Sequence, residues 1–270
     1  MRYQLKVQLL KNPRLNVRWR YWHAKRGDAV GSYHRLSDLV REHAAGGSFV
    51  DVGCMWGVNG AYAFLAEEAG ATRVVGLDVF GPTPEFTAEQ QRRESSVEFV
   101  LGDVTDTASL ERVGPVDTVL CAGVLYHHPS PFDVLVALRA LCRRTLILRT
   151  STIPEVDGVP GVAVYWPMLD ERARKRWNLR SLGLDAQVGI TGAFDPGQGY
   201  GNWFWGMTPS CLVALVRTAG FDVVRRETEA FAQTLICTPV QPPFIHALPD
   251  QAGARQMAEV VSREGWARPH

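Results

Sequence analysis

The stretch "SFVDVGCMWGVNG", residues 48–60, runs an apolar, β-branched segment into three glycines, Gly53, Gly57 and Gly60, with one carboxylate, Asp51, inside the run. A dinucleotide-binding turn has the spacing G-x-G-x-x-G, which aims a helix N-terminus at a pyrophosphate. Here three residues separate Gly53 from Gly57, and Asp51 places a negative charge where phosphates would lie. The loop therefore suits a ligand without phosphate that carries a positive group near the glycines.

Outward from this stretch, apolar runs alternate with helix-period segments. The expected strands are 48–53, 73–79, 97–103, 116–123 and 145–150. Helices are expected at 58–70, 84–93 and 130–144, the last with Ser130 as N-cap and Pro131 at its first position. Strands that are apolar throughout, each followed by a helix, indicate a parallel sheet covered on both faces. A helix at 208–220 then leads to two runs, 221–229 and 231–240, separated by one residue, so they form an antiparallel hairpin. Ligands of such sheets sit at the carboxyl ends of the strands.

Three acids fall at those ends: Asp51 in the first strand, Asp78 closing "VVGLDV", and Asp103 closing "LGDVTD". Helix capping explains any one of them alone, but three at successive strand ends beside a glycine loop fit a bound nucleoside better. Asp78 is placed to accept from ribose hydroxyls and Asp103 from an adenine amino group, with the Val104 amide donating to the ring. S-adenosylmethionine meets the loop's two conditions, having no phosphate but an ammonium and a sulfonium. From about 48 to 240 the chain resembles the class I S-adenosylmethionine-dependent methyltransferases, through "VDVGCMWG", "GLDV", "LGDV", "VDTVLCAGVLYHHPSP" and the terminal hairpin. The fold class implied is α/β, a Rossmann-like seven-stranded methyltransferase sheet, mostly parallel with a C-terminal antiparallel hairpin.

Within that superfamily, "GVLYHHPSPFDVL" and "NWFWGMTPSCLVALVRTAGFDVV" are similar to the wobble-uridine tRNA carboxymethyltransferases and their small-molecule relatives. Met55 stands where the superfamily commonly has a glycine, and the C-terminal strands show no match to the basic residues that hold a carboxylated cofactor, so ordinary S-adenosylmethionine is expected. The resemblance places Asp51, Gly53, Cys54, Gly57, Asp78, Asp103, Val104 and Cys121 at the cofactor, Cys121 lining it and Cys54 as small packing behind the glycine loop.

Methyl transfer to an alcohol needs the acceptor lone pair on the sulfonium axis and a base for one proton. His127, with His128 as the alternative, leaves the fourth strand where that base belongs; packing or capping would be the plainer role. The "NPPY"-like loop of amino-methylating enzymes is missing, and no Pro-Cys pair follows the fourth strand. Oxygen is the expected acceptor atom.

Residues 151–206 form a long insertion holding four of the eight tryptophans and a basic cluster at 172–180. Connections this long are usually functional beside a ligand site. With Tyr126, its aromatic residues Trp166, Tyr200, Trp203 and Trp205 are candidates to line a small-molecule acceptor, a sugar or glycoside first, under the segment as a lid, although the plainer role for any single one is to pin the insertion to the sheet. The expected organisation is a basic helical arm at 1–43, a methyltransferase domain at 44–240 with this insertion as substrate lid, and a tail at 241–270.

The first 43 residues hold ten Lys or Arg against three acids, an excess of seven positive charges in a chain of net charge +1. That arm keeps a tRNA acceptor as the alternative, against a near-neutral whole. A methyltransferase-like protein that binds without turnover is the reading from another class, and the presence of all three acids counts against it. Five scattered cysteines without metal-type pairing, and no signal peptide or membrane span, read as a cytoplasmic protein. No spacing decides whether the acids serve Mg²⁺, nor the oligomeric state.

Overall fold

The computed structural model describes residues 31–156, 158–170, 172–173, 193–228 and 232–240. Residues 1–30, Trp177, most of the basic cluster at 172–180 and the expected tail at 241–270 lie outside the described residues.

The described residues begin with helix α1 (Gly31–Ala44) and then alternate: β1 (Ser48–Val52), α2 (Ala61–Glu68), β2 (Arg73–Asp78), α3 (Pro84–Arg93), β3 (Glu98–Leu101), α4 (Thr107–Val113), β4 (Val116–Ala122), α5 (Pro131–Leu141) and β5 (Cys142–Ser151). A two-stranded ribbon, β6 (Ala163–Tyr165) with β7 (Trp205–Met207), comes from the insertion, followed by α6 (Pro209–Thr218), β8 (Phe221–Thr228) and β9 (Ala232–Pro239). Seven strands form one sheet in the order β3-β2-β1-β4-β5-β9-β8. The pairs among β1 to β5 are parallel, while β9 runs antiparallel to both β5 and β8. The expected fold class is the observed one.

Period-two alternation explains how the sheet is covered. Val50 and Val52 of β1, Val119 and Cys121 of β4, and Leu146 and Leu148 of β5 join one core cluster with α5 and α6. The intervening Phe49, Leu120 and Ile147 join a second cluster on the opposite face with α1, α2 and Phe86 of α3. Each buried side chain of this size contributes about 1.5–3 kcal/mol.

The basic arm expected over 1–43 meets the domain in α1. Leu36, Leu39 and Val40, spaced three and four apart on one helical face, are buried in the second cluster, so this part of the segment is integral to the fold. The helix at 130–144 is shorter than its pattern suggested, because β5 begins directly at Cys142. Ser130 occupies the N-cap position without capping: its hydroxyl donates to Asp133, and its amide donates to His128 Nδ1 at 3.0 Å.

Candidate active site

The turn after β1 is built to bring backbone close to a ligand. Gly53 has φ +81°, and a Cβ there would lie 2.5 Å from Val124 Cγ2, so no side chain fits. The loop is closed from β2: the Met55 amide donates to Asp78 Oδ2 at 2.7 Å and the Phe80 amide to Asp78 Oδ1 at 2.8 Å. Burial, partly offset by those amides, raises the Asp78 carboxyl above its ordinary range.

At the strands' carboxyl ends a cavity of about 260 Å³ is lined by Gly53, Asp78, Asp103, Val104, Tyr126, His127, His128 and Tyr200, with Trp56 and Phe80 at its edge. A second cavity of about 250 Å³ shares Gly53, Trp56, Ala122, Gly123 and Tyr126 with the first and continues to Asp51, Tyr62, Arg149 and Ser151. Asp51 is 2% exposed and its Oδ2 has no hydrogen-bond partner. Burial, and then the Asp78 charge, push its pKa up to about 7. A buried carboxylate oxygen left unpaired beside a cavity is costly unless a ligand group meets it.

Asp103 is crowded with donors. Thr105 donates to Oδ1 through its amide at 2.8 Å and its hydroxyl at 2.7 Å; the Tyr200 hydroxyl donates to Oδ2, and His128 Nε2 stands 3.6 Å from the same oxygen. His128, ahead of the Tyr200 and Thr105 bonds, holds the Asp103 carboxyl well below the usual range. Since His128 Nδ1 accepts from the Ser130 amide, its proton belongs on Nε2, facing Asp103. His128 thus faces Asp103 with one nitrogen and a backbone amide with the other, whereas His127 has no such carboxylate partner among the described residues.

His127 is arranged differently. Its Nδ1 lies 2.8 Å from the Asn202 carbonyl oxygen, which can only accept, so Nδ1 carries the proton and Nε2 keeps a lone pair. Burial lowers its pKa, opposed by the Asn202 bond, and keeps the ring neutral at pH 7. Trp56 packs across it with ring centroids 6.4 Å apart, and Tyr126 lies at 4.3 Å.

The remaining sequence candidates divide by position. Cys54 and Cys121 are fully buried and off both cavity walls: the Cys54 sulfur packs where a Cβ on Gly76 would come within 2.9 Å, and Cys121 is in the core. Gly57 is also off the walls. Trp166 and Trp203, both 1% exposed, pack on each other and Trp203 on Tyr126 with tilted rings, pinning the insertion to the sheet; neither lines the two cavities described. Trp205 donates to the Pro129 carbonyl at 2.8 Å and packs on Tyr165. Sequence reasoning missed Trp56, Phe80, Tyr62 and Arg149. The signal at Trp56 was a large aromatic residue between two glycines of the loop, and that at Arg149 was a charge closing an apolar strand.

Among the described residues no His, Cys, Asp and Glu cluster has the makings of a metal site, and no helix is long and apolar enough to cross a membrane.

Residues 49–146 match the methyltransferase domain family. No curated protein matches the chain in sequence. Solved structures share its fold. The N-terminal domain of EvdMO1 with S-adenosylhomocysteine bound is 17% identical over 76% of this chain and 80% of that one, with a TM-score of 0.51. The 1,6-didemethyltoxoflavin N1-methyltransferase of Burkholderia thailandensis, with its substrate and S-adenosylhomocysteine bound, is 21% identical over 82% and 90%, with a TM-score of 0.51. The [4+2]-cyclase SpnF is 16% identical over 77% and 81%, with a TM-score of 0.50. A fold that also hosts a cyclase leaves the reaction to be argued from the site. The residues present fit S-adenosylmethionine: an unpaired buried acid for a cationic end, a glycine that lets backbone approach, and acids at two further strand ends.

Proposed function

We propose that this S-adenosylmethionine-dependent methyltransferase methylates a hydroxyl of a small molecule, a sugar or glycoside first, with His127 as general base. The observation that carries the reading is the 2.8 Å contact between His127 Nδ1 and the Asn202 carbonyl, which leaves Nε2 of a neutral imidazole ready to take a proton. When bound, the cofactor supplies a methyl group on a sulfonium. Asp78, Asp103 and the Val104 amide would hold its nucleoside, with Asp51 near its ammonium. Trp56, Phe80 and Tyr126 exclude water and offer faces to a ring, and His127 removes the hydroxyl proton as the acceptor oxygen is methylated. His128 and Tyr200 position Asp103. The small-molecule acceptor of the toxoflavin enzyme agrees in class, although its acceptor atom is nitrogen.

An acceptor screen with labelled S-adenosylmethionine tests this, scored for O-methyl products. Once an acceptor is found, His127→Ala lowers kcat by about a hundredfold or more while S-adenosylhomocysteine affinity is kept. A variant of unchanged kcat would remove the role. The charge of the first 43 residues supports a second reading, a tRNA wobble-uridine acceptor; salt-sensitive retention of tRNA by the full chain would favour it, and no retention at low salt would sink it.

A further inference from the structure

We propose that Arg149 binds the α-carboxylate of S-adenosylmethionine, so that Arg149 and Asp51 together clamp the zwitterionic amino-acid end of the cofactor in the second cavity. The inference rests on the cofactor assignment above and adds to it a residue, on β5, outside every motif that carried the resemblance.

Three observations lead here. First, Asp51 and Arg149 line one small cavity, and strand alternation puts them on one face of the sheet, Asp51 with Phe49 and Arg149 with Ile147. A cavity holding one acid and one guanidinium matches a ligand end that carries one ammonium and one carboxylate. Second, the Oδ2 of Asp51 is buried without a partner, so the site is built for a donor that the chain itself does not provide. Third, the charges at the strand tips are ordered. Across the sheet from β3 to β2, β1, β4 and β5 come Asp103, Asp78, Asp51 and then, past β4, Arg149. S-adenosylmethionine presents, end to end, an amino group, ribose hydroxyls, an ammonium and a carboxylate. That is three donors followed by one acceptor, the complement of three acids followed by one cation.

The guanidinium is anchored for this use. Its Nη1 donates to Thr234 Oγ1 at 2.9 Å, and the Arg149 carbonyl accepts from the Gly123 amide, also at 2.9 Å, so the residue is tied to both neighbouring strands. Its planar fork suits a carboxylate better than an ammonium group would.

Calorimetric titration of the full chain separates the parts by using three probes. S-adenosylmethionine has both charges of the amino-acid end, decarboxylated S-adenosylmethionine keeps only the ammonium, and 5′-methylthioadenosine has neither. The wild type should bind the first about tenfold more tightly than the second. Arg149→Met should erase that difference while leaving the affinities for the second and third probes in place, which also shows that the variant is folded. Arg149→Lys should restore part of it, and Asp51→Asn should weaken the first two probes but not the third. Unchanged S-adenosylmethionine affinity in Arg149→Met would overturn the proposal, as would an equal loss for all three probes. Failure of the wild type to bind any probe would overturn the cofactor assignment beneath it, a result distinguishable from the other two.

Discussion

Gly53 is a residue at which the site admits no side chain. Its φ of +81° costs a residue with a Cβ about 1–2 kcal/mol, and the 2.5 Å approach to Val124 Cγ2 adds to that. Gly53→Ala should therefore lower unfolding free energy by at least about 1–2 kcal/mol and weaken S-adenosylhomocysteine binding. Denaturant titration and calorimetry measure the two effects, and a variant with unchanged affinity would refute the close-approach role. The three acids were legible in the sequence because a charge inside or at the end of an apolar strand has few reasons to be there. Arg149 carried the same signal at the end of β5, but its relation to Asp51 exists only through the register of β1 with β4 and of β4 with β5, so its place in the site was not legible. Cys54 and Cys121 neighbour motif residues in sequence, and the side chain of each turns into the core.

At the scale of elements, the strands were legible to within a few residues because β-branched runs buried on both faces leave little else to be. The start of β5 was not, because "ALCRRTLILRT" carries apolar residues continuously from helix into strand and no glycine or proline marks the change. The β6–β7 ribbon was invisible for another reason: each strand has three residues and finds its partner about forty residues away. What fastens the insertion is aromatic packing. Trp203 lies between Tyr126, at 4.7 Å, and Trp166, at 5.5 Å, while the Phe204 amide donates to the Tyr126 carbonyl at 2.8 Å. Trp203→Ala removes that packing and should cost about 3–5 kcal/mol. Limited proteolysis should then cut the insertion first, and equal protection of both proteins would refute the assignment of Trp203 as its anchor.

At the scale of the whole molecule, the fold and its cofactor are coupled through one proton. Burial, then the Asp78 charge, raise Asp51 from 3.8 to about 7, opposed by a hydrogen bond from the Ala63 amide; the thiols of Cys54 and Cys121 feel the Asp51 charge, and Tyr62, Tyr126 and Arg149 share its cavity. The folded ligand-free protein therefore prefers Asp51 protonated, and the stability this group contributes is full below about pH 4 and lost as pH rises to about 7. An ammonium bound beside the ionised carboxylate reverses that loss. Saturating S-adenosylhomocysteine should accordingly raise Tm more at pH 8 than at pH 6, and Asp51→Asn should level the difference; an equal shift at both pH values in the wild type would refute the linkage. The contact between His127 and Asn202 has a different bearing. The two residues are seventy-five positions apart, and Asn202 arrives only with the insertion. Asp51 and Asp78 sit on the sheet independently of that segment, while the imidazole depends on it for its tautomer. Cofactor capture and proton removal are thereby held by different parts of the chain, so loosening the insertion costs turnover before it costs the grip on the methionine end and ribose.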